Sequence, residues 1–191
     1  ATVVMVENGR EALAHISAAR FGFPDRKMVT IGVTGTKGKT TTTHMIKTIL
    51  EACGKKVGMI GTTGTVIGDK VTPTMNTTPE SWQLHQAFAQ MADSGCQYMI
   101  MEVSSQGLML HRTAGIPFEI GIFTNLGEDH IGPNEHKDFE DYKRCKGILF
   151  TQCRLGIANV DDPWYQDVFQ NATCQVETFG MSEEADLRAT G

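Results

Sequence analysis

The sequence has no excess of positive charge: 17 Lys and Arg stand against 22 Asp and Glu, a formal net charge of −5. Bulk attraction to a nucleic-acid backbone is therefore excluded, because such domains carry a basic surface. No apolar run approaches the roughly 18 residues that span a bilayer, and the N-terminus lacks the basic-then-apolar layout of a secretion signal. Neither a membrane nor a nucleic acid is an expected partner. Five cysteines (Cys53, Cys96, Cys145, Cys153, Cys174) form no C-x-x-C pair. Their odd, scattered arrangement excludes a disulfide framework or a zinc site and points to reduced thiols in the cytoplasm. Internal repeats and low-complexity segments are absent too. What is present is 40% hydrophobic residues in 191, enough for one ordinary domain with a sizeable core, together with a fragment of a second.

Apolar periodicity alternates between strand-like and helical. Residues 2–6 (Thr-Val-Val-Met-Val) read as a short strand, followed by a helix over Arg10 to Ala19 with Ala12, Leu13 and Ile16 on one side. Gly, Pro and charged residues cluster up to Lys27, so a boundary falls there and residues 1–24 read as a tail or linker. Met28 to Val33 is an apolar strand entering a glycine loop, and a helix follows from about Lys39 to Cys53. Val57 to Ile60 is another strand, and the glycines at 61, 64 and 68 punctuate a hairpin-like excursion. Thr78-Pro79-Glu80 starts a helix that Thr78 could cap, with Leu84, Ala87, Phe88 and Met91 as its buried stripe. Further strands are expected at Tyr98 to Val103, Glu119 to Thr124, Leu155 to Val160 and Cys174 to Phe179, the last before a polar end. Between them lie a helix from an Asp138 cap through Phe150, with Asp141 as capping-box partner, and a short helix at Trp164 to Phe169. Such alternation predicts an α/β fold, a mostly parallel sheet flanked by helices.

The segment Gly35-Thr36-Lys37-Gly38-Lys39-Thr40 has the strand-loop-helix setting of a phosphate-binding loop. Glycines let backbone N–H groups approach anionic oxygens at a helix N-terminus, Lys39 would neutralise β- and γ-phosphates, and the Thr40 hydroxyl would ligate Mg²⁺. Val33 replaces the first glycine of the strict pattern. Glu102 ends a buried strand, where a carboxylate is costly unless paired or bound to metal, so it is a candidate Mg²⁺ ligand; an ordinary strand-end carboxylate reaching solvent is the other reading. The next strand ends in Thr124-Asn125-Leu126-Gly127-Glu128-Asp129-His130. His130 could contact metal or phosphate, or could simply be a solvated loop histidine. His44, His85, His111 and His136 show no ligand spacing. Lys146 lies one helical turn from Tyr142 and from Phe150 and could project toward the same crevice.

Taken together, Gly32 to Thr41, Asn76-Thr77-Thr78-Pro79, Met101 to Gln106 with His111-Arg112, Thr124-Asn125-Leu126 with Asp129-His130, Lys146, and Asn159-Val160-Asp161-Asp162-Pro163 resemble the Mur ligases, in particular the UDP-N-acetylmuramoyl-tripeptide synthetases. The resemblance runs from about Val3 to the C-terminus. It implies an ATP-dependent amide ligase of peptidoglycan synthesis that adds a diamino acid to UDP-N-acetylmuramoyl-L-alanyl-D-glutamate through an acyl phosphate. It also implies P-loop-type ATP binding by Gly35, Thr36, Lys37, Gly38, Lys39, Thr40, Thr41, Asn159 and Asp161, and binding of the acyl substrate by Asn76, Thr77, Thr78, Ser104 and Arg112. Lys39, His130 and Lys146 would be the catalytic residues. Mg²⁺, at up to two sites, would be held by Thr40, Glu102, His130 and Lys146, the last as a CO₂-derived carbamate. By the same resemblance, residues 1–24 would lead out of an N-terminal UDP-substrate domain, and residues 25–191 would be the central ATP-binding domain, truncated at its end and lacking the C-terminal ligase domain. Such a fragment alone would bind nucleotide weakly and have little or no activity. The sequence departs from the family at Lys37, usually asparagine, at Leu110, commonly glutamine, and over Ile131 to His136. These departures leave two other readings, a related ligase with another acceptor and a non-catalytic nucleotide-binding regulatory module.

Overall fold

The computed structural model describes residues 3–129, 131–133 and 135–190. In chain order its elements are α1 (Gly9–Arg20), β1 (Val29–Thr34), α2 (Lys39–Ala52), β2 (Val57–Gly61), β3 (Gly64–Ile67), β4 (Lys70–Thr72), α3 (Ser81–Asp93) and β5 (Tyr98–Glu102). Then follow α4 (Ser105–Met109), β6 (Phe118–Phe123), α5 (Phe139–Gly147), β7 (Cys153–Asn159), α6 (Tyr165–Val168), β8 (Gln175–Gly180) and β9 (Leu187–Arg188). Among the described residues nine strands make one sheet, in the order β4-β3-β2-β5-β1-β6-β7-β8-β9. The β2–β3 and β3–β4 pairs are antiparallel; the others are parallel.

The central strands are apolar along their length because both faces of a parallel sheet are covered. In β5, Met99 and Met101 join Leu84, Phe88 and Met91 of α3 in the larger core cluster. Ile100, pointing the opposite way, packs with Ile31 and Val57 and with Ile46 and Leu50 of α2. The chain leaves β1 toward β2 on one side and leaves β6 toward β7 on the other. A crevice therefore opens at the C-terminal ends of β1 and β6, where open α/β sheets bind ligands. No helix among the described residues is long and apolar enough to cross a membrane.

Several local expectations are corrected. Val3 to Val6 are exposed and form no strand, since β-branched residues without a neighbouring strand have nothing to pair with. The buried side of α1 is Ala14, Ser17 and Ala18, whereas Leu13 and Ile16 are exposed. Small residues let α1 lie on α3, and Arg10 secures it through Glu80 at 2.7 Å and the Leu110 carbonyl at 2.9 Å. Thr78 caps no helix; the residue before α3 is Glu80, without a side-chain cap. Asp138 does cap α5 through the Asp141 amide, at 2.7 Å. The Asp141 carboxylate does not return the bond, because it is engaged by His136 and Arg144. The α-helix stops at Gly147 and a 3₁₀ turn carries the chain to Thr151. Strand β9 was not expected, since two exposed residues carry no period.

Under α1 lies a buried pair, His85 and Asp25, with Nδ1 and Oδ1 3.6 Å apart, too far for a hydrogen bond. Burial, and secondarily His15, pushes the His85 imidazole down to about 4, from an ordinary 6.5. The unfolded chain thus takes up a proton between those values that the folded chain refuses, so stability is expected to fall as pH drops through that window. Asp25, raised by burial, acts with the opposite sign and flattens the acid end. Urea titrations from pH 7 to pH 4 should show the slope, and His85→Leu should remove most of it. An unchanged slope in that variant would show that other groups set it.

Candidate active site

The loop after β1 is shaped by close approach. Gly35 has φ +148°, and a Cβ there would run into Thr124 Oγ1 at the end of β6. Gly38, with φ +84°, starts α2 from the left-handed region that favours glycine. The residues after β6 hold the loop from behind. The Asn125 carbonyl accepts the Thr36 amide at 2.8 Å, Asn125 Oδ1 accepts the Lys37 amide at 2.9 Å, and Thr124 Oγ1 donates to the Lys37 carbonyl at 2.8 Å. Thr36 Oγ1 lies 3.1 Å from the Tyr142 hydroxyl of α5. Lys39 Nζ folds back on the loop, donating to the carbonyls of Gly35 at 2.8 Å and Thr36 at 3.0 Å. Burial lowers its pKa, against the pull of Glu102. Lys37 projects outward, paired with Asp129 at 3.3 Å, and Thr41 is exposed on the first turn of α2.

Glu102 is 1% exposed. Its Oε2 accepts from Thr40 Oγ1 at 2.9 Å and its Oε1 from the Thr62 amide at 2.9 Å. The Thr62 hydroxyl in turn lies 3.1 Å from Thr77 Oγ1. A continuous polar path thus runs from the phosphate loop through Glu102 to the Asn76–Thr77 segment. Thr62 escaped the sequence reading because a threonine after a strand carries no signature of its own.

Lys146 is also 1% exposed, with Nζ 4.4 Å from the centre of the Tyr142 ring and donating to the Gly35 carbonyl at 2.9 Å. Burial, and then the charge of Lys39, hold its amine well below the usual lysine range. Two lysines therefore converge on one carbonyl of the loop.

A cleft of about 250 Å³ opens beside these groups, lined by Lys39, Asn76, Thr77, Ser104, Arg112 and His136 among others. Thr78 lies beneath it, fully buried, donating to the Glu102 carbonyl and accepting the Ser104 amide, both at 2.9 Å. Arg112 is fixed by the Thr78 carbonyl at 3.0 Å and by Glu80 at 2.9 Å. Asn159 stands behind the loop, its Nδ2 donating to the Thr124 carbonyl at 2.8 Å. The Asp161 carboxylate is turned to the amides of Met181 and Ser182, at 2.6 and 3.0 Å. His130 lies outside the described residues. His136, which showed no ligand spacing in the sequence, is fully buried at the cleft, its Nε2 2.9 Å from Ser105 Oγ and its Nδ1 3.2 Å from Asp141 Oδ2. No pattern connects residues 31 apart, so only the fold could bring that pair together.

Comparison with known proteins identifies the family. A ligase named UDP-N-acetylmuramoyl-L-alanyl-D-glutamate–2,6-diaminopimelate ligase 1, from Clostridium acetobutylicum, is 47% identical over 188 residues, covering 98% of this chain and 39% of that protein. The diaminopimelate ligase of Clostridium perfringens is 44% identical, over 98% of this chain and 40% of its own length. The chain thus spans about two-fifths of the relatives it matches. A solved diaminopimelate ligase superposes with a TM-score of 0.81 at 26% identity, over 97% of this chain and 40% of that one. A folylpolyglutamate synthase from Mycobacterium tuberculosis, at 17% identity and TM-score 0.69, shares the fold alone. Residues 33–191 match the Mur ligase middle domain. Because that match takes in everything from the end of β1 to the last strand, the chain belongs to the Mur ligase family, of which it carries the middle domain.

Proposed function

We propose that this chain is the ATP-binding part of a longer cytoplasmic ligase that joins 2,6-diaminopimelate to UDP-N-acetylmuramoyl-L-alanyl-D-glutamate during peptidoglycan synthesis. The observation that carries the reading is the pairing of Thr40 with the buried Glu102, set between the phosphate loop and a cleft lined by Asn76, Thr77, Ser104 and Arg112. Phosphate oxygens would be held by the amides of Gly35 to Thr41 and by Lys39, with Asn159 and Asp161 serving the nucleotide. The donor set suits Mg²⁺, a hard cation that prefers oxygen ligands, because Thr40 Oγ1 and Glu102 Oε2 already lie together. Bound there, Mg²⁺ supplies positive charge between two anionic reactants, the phosphate chain and the glutamate carboxylate. Asn76, Thr77, Thr78, Ser104 and Arg112 position the acyl substrate, so that its carboxylate attacks the terminal phosphorus and displaces ADP, after which the amine attacks the acyl carbon, releases inorganic phosphate and loses a proton to form the amide.

Lys146 has a defined part in this reading. Burial disfavours the charged form of its amine, which can add CO₂ and release a proton, and the resulting carbamate anion would serve with Glu102 and His130 as a metal ligand. Residues 1–24 then connect to a domain that binds the UDP moiety, residues 25–191 form the central domain, and a further domain completes the amino-acid site.

Phosphate release by the full-length protein should require Mg-ATP, the UDP-linked dipeptide and 2,6-diaminopimelate together, with lysine a poor substitute. Release without either co-substrate, or none with any amine, would refute the assignment in favour of another acceptor or a regulatory role.

A further inference from the structure

Arg112 lines the cleft, is 7% exposed and lies in the turn after α4, which is held from outside. His111 just before it has φ +55°, a left-handed conformation that costs a non-glycine residue energy. The Ser81 hydroxyl donates to the Arg112 carbonyl at 3.1 Å, and Arg10 Nε, from α1, donates to the Leu110 carbonyl at 2.9 Å. The same Arg10 also reaches the side chain of Arg112, through one intermediary. Glu80 Oε2 accepts from Arg10 Nη2 at 2.7 Å, and Glu80 Oε1 lies 2.9 Å from Arg112 Nη2. Two guanidinium groups thus share one carboxylate, one on each oxygen. Arg112 Nη1 is tied to the Thr78 carbonyl at 3.0 Å, while its Nε, also buried, has no hydrogen-bond partner among the described residues. A buried donor is costly to leave unmade, so the guanidinium is held by protein at two nitrogens and keeps donor capacity for a ligand.

We propose that Glu80 and Arg10 are positioning residues for the acyl substrate: Arg10 holds Glu80, Glu80 holds the Arg112 guanidinium at the cleft, and α1 is thereby a working part of the acyl site. The proposal rests on the ligase reading, since it places that substrate in the cleft. Arg10 lies ahead of residues 33–191, which match the middle domain, so a component of the site comes from the segment before that domain. A carboxylate suits the middle place because both of its oxygens accept, whereas an amide offers one acceptor and turns a donor toward the second guanidinium. The pair is not there for stability. Arg10 and Glu80 are each more than a third exposed, and ion pairs of that kind stabilise a fold little. What they can set is the direction of a long side chain whose planar fork must be fixed before it can recognise an anionic or carbonyl group.

Glu80→Gln and Arg10→Met in the full-length ligase test this. KM for the UDP-linked dipeptide should rise about 10-fold in Glu80→Gln, the loss expected when a contact to a charged group is replaced by a misplaced donor. It should rise about 3-fold in Arg10→Met, where Glu80 remains but is no longer held from its exposed side. The kcat, the KM for ATP and the urea midpoint should stay near wild type. A pair that only anchored α1 would instead lower the midpoint and kcat and leave the dipeptide KM alone. Arg10→Met should also have a smaller effect in the Glu80→Gln background than by itself, because the carboxylate through which it acts is gone. Wild-type KM for the dipeptide in either single variant, an equal factor for Arg10→Met in both backgrounds, or a loss confined to kcat and stability would overturn the proposal. Arg10 is exposed, so its variant decides the matter even where Glu80→Gln does not fold. A wild-type protein that neither binds the UDP-linked dipeptide in calorimetry nor turns it over would instead refute the ligase reading, and the identity of the ligand with it.

Discussion

Lys146→Met is expected to lower kcat for ligation by about 10²- to 10³-fold, the usual consequence of deleting one preorganised electrostatic group, while the protein remains folded. The physical basis is the position of the amine: 1% exposed, beside the phosphate loop, with its pKa pushed down by burial and by Lys39. A lysine in such a place costs stability, and the burial that disfavours its charged form favours the free amine that reacts with CO₂. Methionine fills similar space without the desolvation penalty, so the urea midpoint should hold or rise. Lys39 still donates to the Gly35 carbonyl, so that carbonyl keeps one of its two lysine contacts. Activity and stability therefore move separately, which a merely structural lysine would not produce. A variant with kcat within tenfold of wild type would remove Lys146 from the chemistry. A ¹³CO₂-derived carbamate signal present in the wild-type protein and absent from Lys146→Met would identify what the residue carries.

The second large effect is expected at a glycine that touches no ligand. A Cβ at Gly61, the last residue of β2, would fall on the carboxylate of Glu102. Gly61→Ala must therefore swing Glu102 away from Thr40 and Thr62, and the Mg²⁺ concentration for half-maximal activity should rise by an order of magnitude or more. Crowding in a packed interior should also cost about 1–3 kcal/mol of stability. Gly127→Ala serves as the control, since a Cβ there meets nothing within 4 Å. Wild-type Mg²⁺ dependence in Gly61→Ala would mean that Glu102 is not held in place for a cation.

The contrast between these residues shows what a sequence can and cannot express. The phosphate loop was legible because its chemistry is local: a strand, glycines that permit unusual φ values, and a lysine and threonine at fixed offsets. The parallel sheet was legible for a similar reason, through apolar runs too short for helices and too continuous for a solvated face. Glu102 stood out as a charge where burial is expensive. Thr62 and His136 did not, because threonine and histidine are unremarkable in loops and acquire their roles only from partners far along the chain. The failures at α1 and Thr78 have a common cause as well. Periodicity and capping rules assume that an apolar side chain or a hydroxyl serves its own element. Here Leu13 and Ile16 are exposed while alanines pack, and Thr78 ties the end of β5 to Ser104 instead of its own helix.

Helix α5 holds three of the contacts described above on one short rod. Asp141 reaches the cleft through His136, Tyr142 meets the phosphate loop at Thr36, and Lys146 meets it at Gly35. At 1.5 Å of rise per residue, Asp141 and Lys146 are separated by only about 7.5 Å along the axis. In the proposed reaction the helix would act as a gauge block, setting the distance between the phosphate loop and the neighbouring cleft. One residue inserted between Tyr142 and Lys146 would turn the lysine by about 100° and put the two halves out of register.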